Sequence, residues 1–184
     1  MTDFVLRIAV PDDGAALAEI YAPHVEIGVA SFEVQAPSAV EMASRIEHTT
    51  PVYPWLVAER DREIVGYAYA SKHRERAAYQ WSVDVTVYIA DKAQRQGVGR
   101  QLYGQLLELL RKQGFRMAYA GITLPNLGSV GLHEAMGFVP VGVYRNVGYK
   151  LGAWRDVGWW ELALQPTEPT PQPPTPFSLL DGRP

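Results

Sequence analysis

Apolar positions along this chain recur with two periods, and the switches between them mark out the elements. Phe4–Ala9 reads as a strand. Pro11-Asp12-Asp13 then opens a helix that carries Leu17, Ile20 and Tyr21 at helical spacing and is expected to end near Pro23. A segment around Val29–Val34 and a short helix near Ser38–His48 follow. Trp55–Glu59 and Ile64–Ala70 are β-rich runs, and Arg60-Asp61-Arg62-Glu63 between them predicts a hairpin. From Tyr79 to Ile89 the pattern predicts one long strand. Trp81, Val83, Val85, Val87 and Ile89 share one face, and Ser82, Asp84, Thr86 and Tyr88 the other. A helix is expected from about Gly97 to Lys112, with Leu102, Leu106, Leu109 and Leu110 on its buried stripe and Gly114 as its stop. Met117–Thr123 reads as a strand and Asn126–Met136 as a helix closed by Gly137; the remainder is β-rich to about Leu164. This mixture predicts an α+β fold, a sheet with helices packed on it.

Composition sharpens the outline. Seven of the fourteen prolines fall between Pro166 and Pro184. Each fixes φ and removes a donor, so 166–184 is expected as a disordered tail, with Phe177, Leu179 and Leu180 as a small docking patch, and 1–165 as the folded domain. The whole chain of 184 residues is 47% apolar, enough for one domain with a real core. Seventeen Lys plus Arg against twenty Asp plus Glu leave a charge of −3, which argues against a nucleic-acid partner. The absence of cysteine excludes thiol nucleophiles, Cys-ligated zinc and disulfides. The four histidines have no metal-ligand spacing, so no metal is expected. Met1-Thr2-Asp3-Phe4 shows no signal peptide, and no window approaches the ~20 apolar residues that span a bilayer; a cytoplasmic protein without a membrane partner is expected.

The most informative stretch is Gln94-Arg95-Gln96-Gly97-Val98-Gly99, between a strand and an amphipathic helix. Unpaired N–H groups at a helix start, with the helix dipole behind them, suit a phosphate or diphosphate. Gly97 and Gly99 remove side chains that would hold a bulky anion away, and Arg95 and Arg100 add charge at the rim. A P-loop would need a Gly-Lys-Ser/Thr ending, which is missing, and a dinucleotide fingerprint would need a small residue where Leu102 stands.

Strand, Gln-x-x-Gly-x-Gly, then helix resembles the acyl-CoA loop of the GCN5-related N-acetyltransferase (GNAT) superfamily. Tyr79-Gln80-Trp81-Ser82-Val83-Asp84, Leu124-Pro125-Asn126 with Ser129 and Leu132-His133-Glu134, and above all Gly148–Trp160 look like the phosphinothricin/methionine sulfoximine N-acetyltransferases within it. The resemblance implies a mixed central sheet splayed open at the acetyl-CoA site, with helices on both faces. It implies that the backbone of Val87, Tyr88 and Ile89 pairs with the pantetheine arm, and that Arg95, Gln96, Gly97, Val98, Gly99 and Arg100 hold the diphosphate. Asn126 and Ser129 would contact the donor near its thioester. A homodimer is implied as well, with the substrate pocket near the subunit boundary; Trp154, Trp159 and Trp160 suit a folded-in hydrophobic edge or a dimer seam better than ligand stacking.

Acetyl transfer to an α-amine needs the amine neutral, and at neutral pH most of it is protonated. Asp84 is the candidate base, standing where the family carries a glutamate. His133 is the candidate acid for the departing thiolate, the alternative proton source being solvent. His24, His48 and His73 read as ordinary surface or helix residues, and Tyr103 as structural. Arg76 falls where the family has a substrate-contacting arginine, and a guanidinium can grip a carboxylate or phosphinate with two bonds. Phe32, Arg76, Tyr79 and Tyr88 are the candidate substrate contacts. The expected activity is acetylation of small glutamate- or methionine-like amino acids. A different amine substrate, or an acyl-CoA-binding module without catalysis, are the alternatives.

Overall fold

The computed structural model describes residues 4–181, so the first three residues of the expected 1–165 domain and the last three of the expected tail lie outside it. In chain order the elements are β1 (Val5–Ile8), α1 (Gly14–Glu26), α2 (Ala39–Thr49), β2 (Trp55–Arg60), β3 (Glu63–Lys72), β4 (Ser82–Ile89), α3 (Val98–Gln113), β5 (Met117–Leu124), α4 (Leu127–Ala135), β6 (Val139–Lys150) and β7 (Ala153–Ala163). The strands form one sheet in the order β1-β2-β3-β4-β5-β7-β6. All neighbours pair antiparallel except β4 and β5, which are parallel.

Strand alternation sends side chains to two separate cores. Leu56 and Ala58 of β2, with Val83 and Val85 of β4, meet Leu102, Leu106 and Leu110 of α3 on one face. Trp55 and Val57, with Tyr67 of β3, meet Leu17, Ile20 and Tyr21 of α1 and Met42 and Ile46 of α2 on the other. The mixed sheet with helices on both faces is therefore present. Its local stops follow the expected chemistry: Ser38 caps α2 by accepting from the Glu41 N–H, and Gly97 and Gly114 flank α3 in the left-handed conformation.

Three local expectations change. The helix does not end at Pro23 but runs one turn on to Glu26, where the N–H groups of Ile27 and Gly28 both reach the Pro23 carbonyl. Proline lacks a donor yet keeps its acceptor, so a last turn can hang from it. The segment 29–34 between α1 and α2 is irregular; Tyr21 Oη bonds Ser31 Oγ and Glu33, and buried Lys150 donates to the Ser31 carbonyl at 2.6 Å. The long strand begins at Ser82, because Ala77–Tyr79 forms a 3-10 turn and Trp81 points its indole N–H at the Gln172 carbonyl. The proline-rich segment, expected as a disordered tail, lies along the body through residue 181. Phe177 is 1% exposed within the α3-side core, with Leu180 packed beside it, while Leu179 is exposed. The amide of Thr175 bonds the Gln113 carbonyl, and that of Phe177 the Val52 carbonyl.

Candidate active site

Pairing between β4 and β5 stops after Ser82↔Met117, Val83↔Ala118 and Asp84↔Tyr119. Among the described residues no strand pairs with this edge of β4 beyond Asp84, while its other edge is paired to β3 as far as Ile89. The two strands part into a cleft of about 430 Å³, within the range of small-ligand sites. Val85–Ile89 form one wall; Ala120, Gly121, Ile122 and Thr123 form the other. Val87, Tyr88 and Ile89 stand where the pantetheine arm was expected, with backbone groups available to an extended ligand.

The glycine loop closes the open end of this cleft. Gly97 has φ +85°, and an added Cβ there would meet nothing within 4 Å, so glycine serves the backbone conformation. Gly99 serves proximity: a Cβ would come 3.0 Å from Leu132 Cδ2 of α4. The first amide of α3 with a carbonyl acceptor is that of Gln101, which bonds Gly97. Among the described residues the amides of Val98, Gly99 and Arg100 have no backbone acceptor, and all three residues line the cleft beside Arg95 and Asn126. Gln96 belongs to the loop but turns its side chain away, accepting from Arg60 and donating to the Lys92 carbonyl. It braces the loop rather than lining the cleft.

At the α4 wall, Asn126 accepts from the Ser129 N–H as the helix cap, and both residues face the cleft. His133 is buried. Its Nδ1 lies 2.7 Å from the Ser129 carbonyl, which can only accept, so Nδ1 carries the proton; Nε2 lies 2.9 Å from Tyr103 Oη. Burial depresses the pKa of His133, partly countered by the Ser129 bond. The neutral ring therefore donates to Ser129 and accepts from Tyr103, with no proton free for a thiolate. Tyr103 was read as structural, yet it lines the cleft; spacing within one helix cannot reveal a partner 30 residues away.

Asp84 sits at the fork itself, paired in register with Tyr119. One of its oxygens lies 2.6 Å from His73 Nδ1. Burial raises the Asp84 pKa, while His73 and Arg74 pull it back. His73 was read as an ordinary surface residue. Its side chain is only 11% exposed, and its ring stacks on Tyr119 with centroids 4.4 Å apart. The signal available in the sequence was position alone: His73 follows the strand β3, in which Ser71 pairs with Asp84. His24 also lines the cleft, its ring 4.9 Å from Tyr88, and burial lowers its pKa.

The four expected substrate contacts do not converge on one point. Tyr88 lines the cleft and packs against Tyr21. Phe32 lies against Gly148 of β6, where a Cβ would clash at 2.3 Å. Tyr79 stands 6.0 Å from the His73 ring. Arg76 lines a second hollow with Tyr53, Tyr79 and Pro174, away from the cleft.

Comparison with known proteins gives a consistent picture. The family model described as acetyltransferase (GNAT) domain matches residues 6–159. The phosphinothricin N-acetyltransferase of Streptomyces viridochromogenes is 39% identical over 171 residues, covering 93% of this chain and 91% of that protein. The L-methionine sulfoximine/L-methionine sulfone acetyltransferase of Pseudomonas paraeruginosa is 37% identical over 120 residues, or 65% of this chain and 70% of its own. The crystal structure of a GNAT superfamily phosphinothricin acetyltransferase from Sinorhizobium meliloti, in complex with acetyl-CoA, superposes with a TM-score of 0.89 at 36% identity over 98% of both chains.

Proposed function

Since the chain belongs to the GNAT acetyltransferase family, we propose that it transfers acetyl from acetyl-CoA to the α-amine of a small glutamate- or methionine-like amino acid, with phosphinothricin, methionine sulfoximine and methionine sulfone as first candidates. The observation that carries this reading is the cleft between β4 and β5, closed at one end by free helix amides and at the other by Asp84. A linear thioester held by its diphosphate at Gly97–Arg100 runs along Val87–Ile89 toward the fork. There the amine meets it, and the Asp84 carboxylate supplies the negative charge that makes a base. Backbone amides of β4 suit the developing oxyanion. The CoA thiol, like a cysteine thiol with a pKa of about 8.5, leaves as thiolate and takes its proton from solvent, given how His133 is bonded. Tyr88 is the substrate contact the cleft supports best; Tyr79 and Arg76 line the second hollow instead, and Phe32 packs against Gly148.

Two further parts belong to the reading. The apolar residues Val141, Val143, Tyr149 and Trp154 stand exposed on β6 and β7, and a second copy of the chain would cover them, making a homodimer. A cytoplasmic location is part of the same proposal; no helix among the described residues is long and apolar enough to cross a membrane. The unit 1–165 is taken as the catalytic domain, with the proline-rich segment as its strap. The test is CoA release with acetyl-CoA and a panel of phosphinothricin, methionine sulfoximine, methionine sulfone and ordinary amino acids. Release above background with the first three supports the reading, and release with none of the panel overturns it. Sedimentation of the same preparation should return twice the chain mass.

A further inference from the structure

We propose that the proton acceptor for the amine is Nε2 of His73, with Asp84 as the residue that positions it; this rests on the acetyltransferase reading above. The pair is built as a dyad. Asp84 Oδ1 lies 2.6 Å from Nδ1, so an ionised carboxylate holds the Nδ1–H tautomer and leaves the Nε2 lone pair outward. Nε2 has no hydrogen-bond partner among the described residues and is not among the polar atoms sealed from solvent. The ring has little freedom. Tyr119 stacks beneath it, and Trp159 and Tyr79 meet it edge-on at 6.3 and 6.0 Å.

Its place is the second support. Asp84 and Tyr119 are the last paired residues before β4 and β5 part. The next residues on the same face of each strand, Thr86 and Gly121, line the cleft. An extended donor anchored at the glycine loop therefore ends beside this pair. The chemistry favours imidazole as well: in water it titrates about 2.6 units above an aspartate, closer to the amine it must deprotonate. The charged and titratable groups facing the pair are Arg74, whose guanidinium lies over Trp159, together with Tyr79, Tyr119, Tyr69 and Glu161. Arg74 favours the ionised carboxylate that the dyad needs.

The step balances as follows. The ammonium gives a proton to Nε2, which passes it to water. The neutral nitrogen attacks the thioester carbon, forming the C–N bond with its lone pair. The carbonyl π pair moves onto oxygen and returns to re-form C=O as the intermediate collapses, and the nitrogen, now positively charged, gives its second proton to Nε2, which releases it to water. The C–S bond breaks, sulfur leaves with the bonding pair as thiolate, and water protonates it. The net products are the amide, CoA and one proton.

His73→Gln keeps a donor for Asp84 and removes the base. At pH 7 it should lower kcat/KM for the amine about 100-fold while calorimetry returns an unchanged affinity for acetyl-CoA. The loss should shrink at pH 9.5, where the amine is already neutral, and added imidazole should restore part of the rate. Asp84→Asn should lower kcat with the affinity for acetyl-CoA unchanged, because an amide no longer supplies the charge that holds the Nδ1–H tautomer and balances the imidazolium. Unchanged kcat/KM in His73→Gln, or a loss that is the same at every pH, overturns the proposal and leaves acetyl transfer standing. Should His73→Gln fail to bind acetyl-CoA, the wild-type profile decides. An ascending limb that departs from the free-amine fraction supports the dyad; a rate that tracks only the free-amine fraction overturns it. Wild type that releases no CoA with any amine removes the underlying reading instead.

Discussion

Histidine is where a side chain's role depends most on its surroundings. Nothing in the local sequence separates His24, His48, His73 and His133, yet His48 bonds only its own helix, His133 is enclosed between Ser129 and Tyr103, and His73 is held by a carboxylate on the neighbouring strand. Glycine is the opposite case. Gly97 and Gly99 were legible because strand, paired glycines and amphipathic helix constrain the backbone without help from distant residues. The buried histidines also set a pH response. The folded chain depresses the pKa of both His24 and His133, so the unfolded chain takes up their protons first as pH falls below about 6.5. Their contribution to stability is present above that pH and is lost below it. Thermal melts at pH 7.5 and 5.5 should show a fall in Tm for wild type and a smaller fall for His133→Gln, whose amide can still serve Ser129 and Tyr103. An equal fall in the two proteins would remove His133 from the effect.

Elements were legible wherever periodicity ran unbroken. The alternation of β4 placed Asp84, Thr86 and Tyr88 on one face, and the leucine stripe of α3 fell on the buried side. The fork was not visible in periodicity, since a strand that loses its neighbour halfway keeps the same side-chain pattern; only the resemblance implied it. The start of β4 slipped because Trp81 is used by a tertiary contact with Gln172, and the end of α1 because the Pro23 carbonyl still accepts the bonds of a last turn. The proline-rich segment misled for a related reason: its composition forbids regular structure but not docking through one aromatic side chain. Phe177 fills the α3-side core, so Phe177→Ala should cost about 3–5 kcal/mol in urea unfolding. A cost below about 1 kcal/mol would mean the strap contributes nothing to the fold.

For the molecule as a whole, helices pack on both faces of the sheet, and the cleft and the His73–Asp84 pair both lie where β4 parts from β5. Everything in this arrangement depends on the cleft gripping a diphosphate-bearing thioester. Calorimetric titration with acetyl-CoA and, in parallel, with S-acetylpantetheine, which lacks the diphosphate, tests that grip most directly. The account predicts one acetyl-CoA per chain, bound at least about tenfold more tightly than the truncated thioester, a difference of about 1.4 kcal/mol. Equal affinities, or no binding of acetyl-CoA at all, would contradict it.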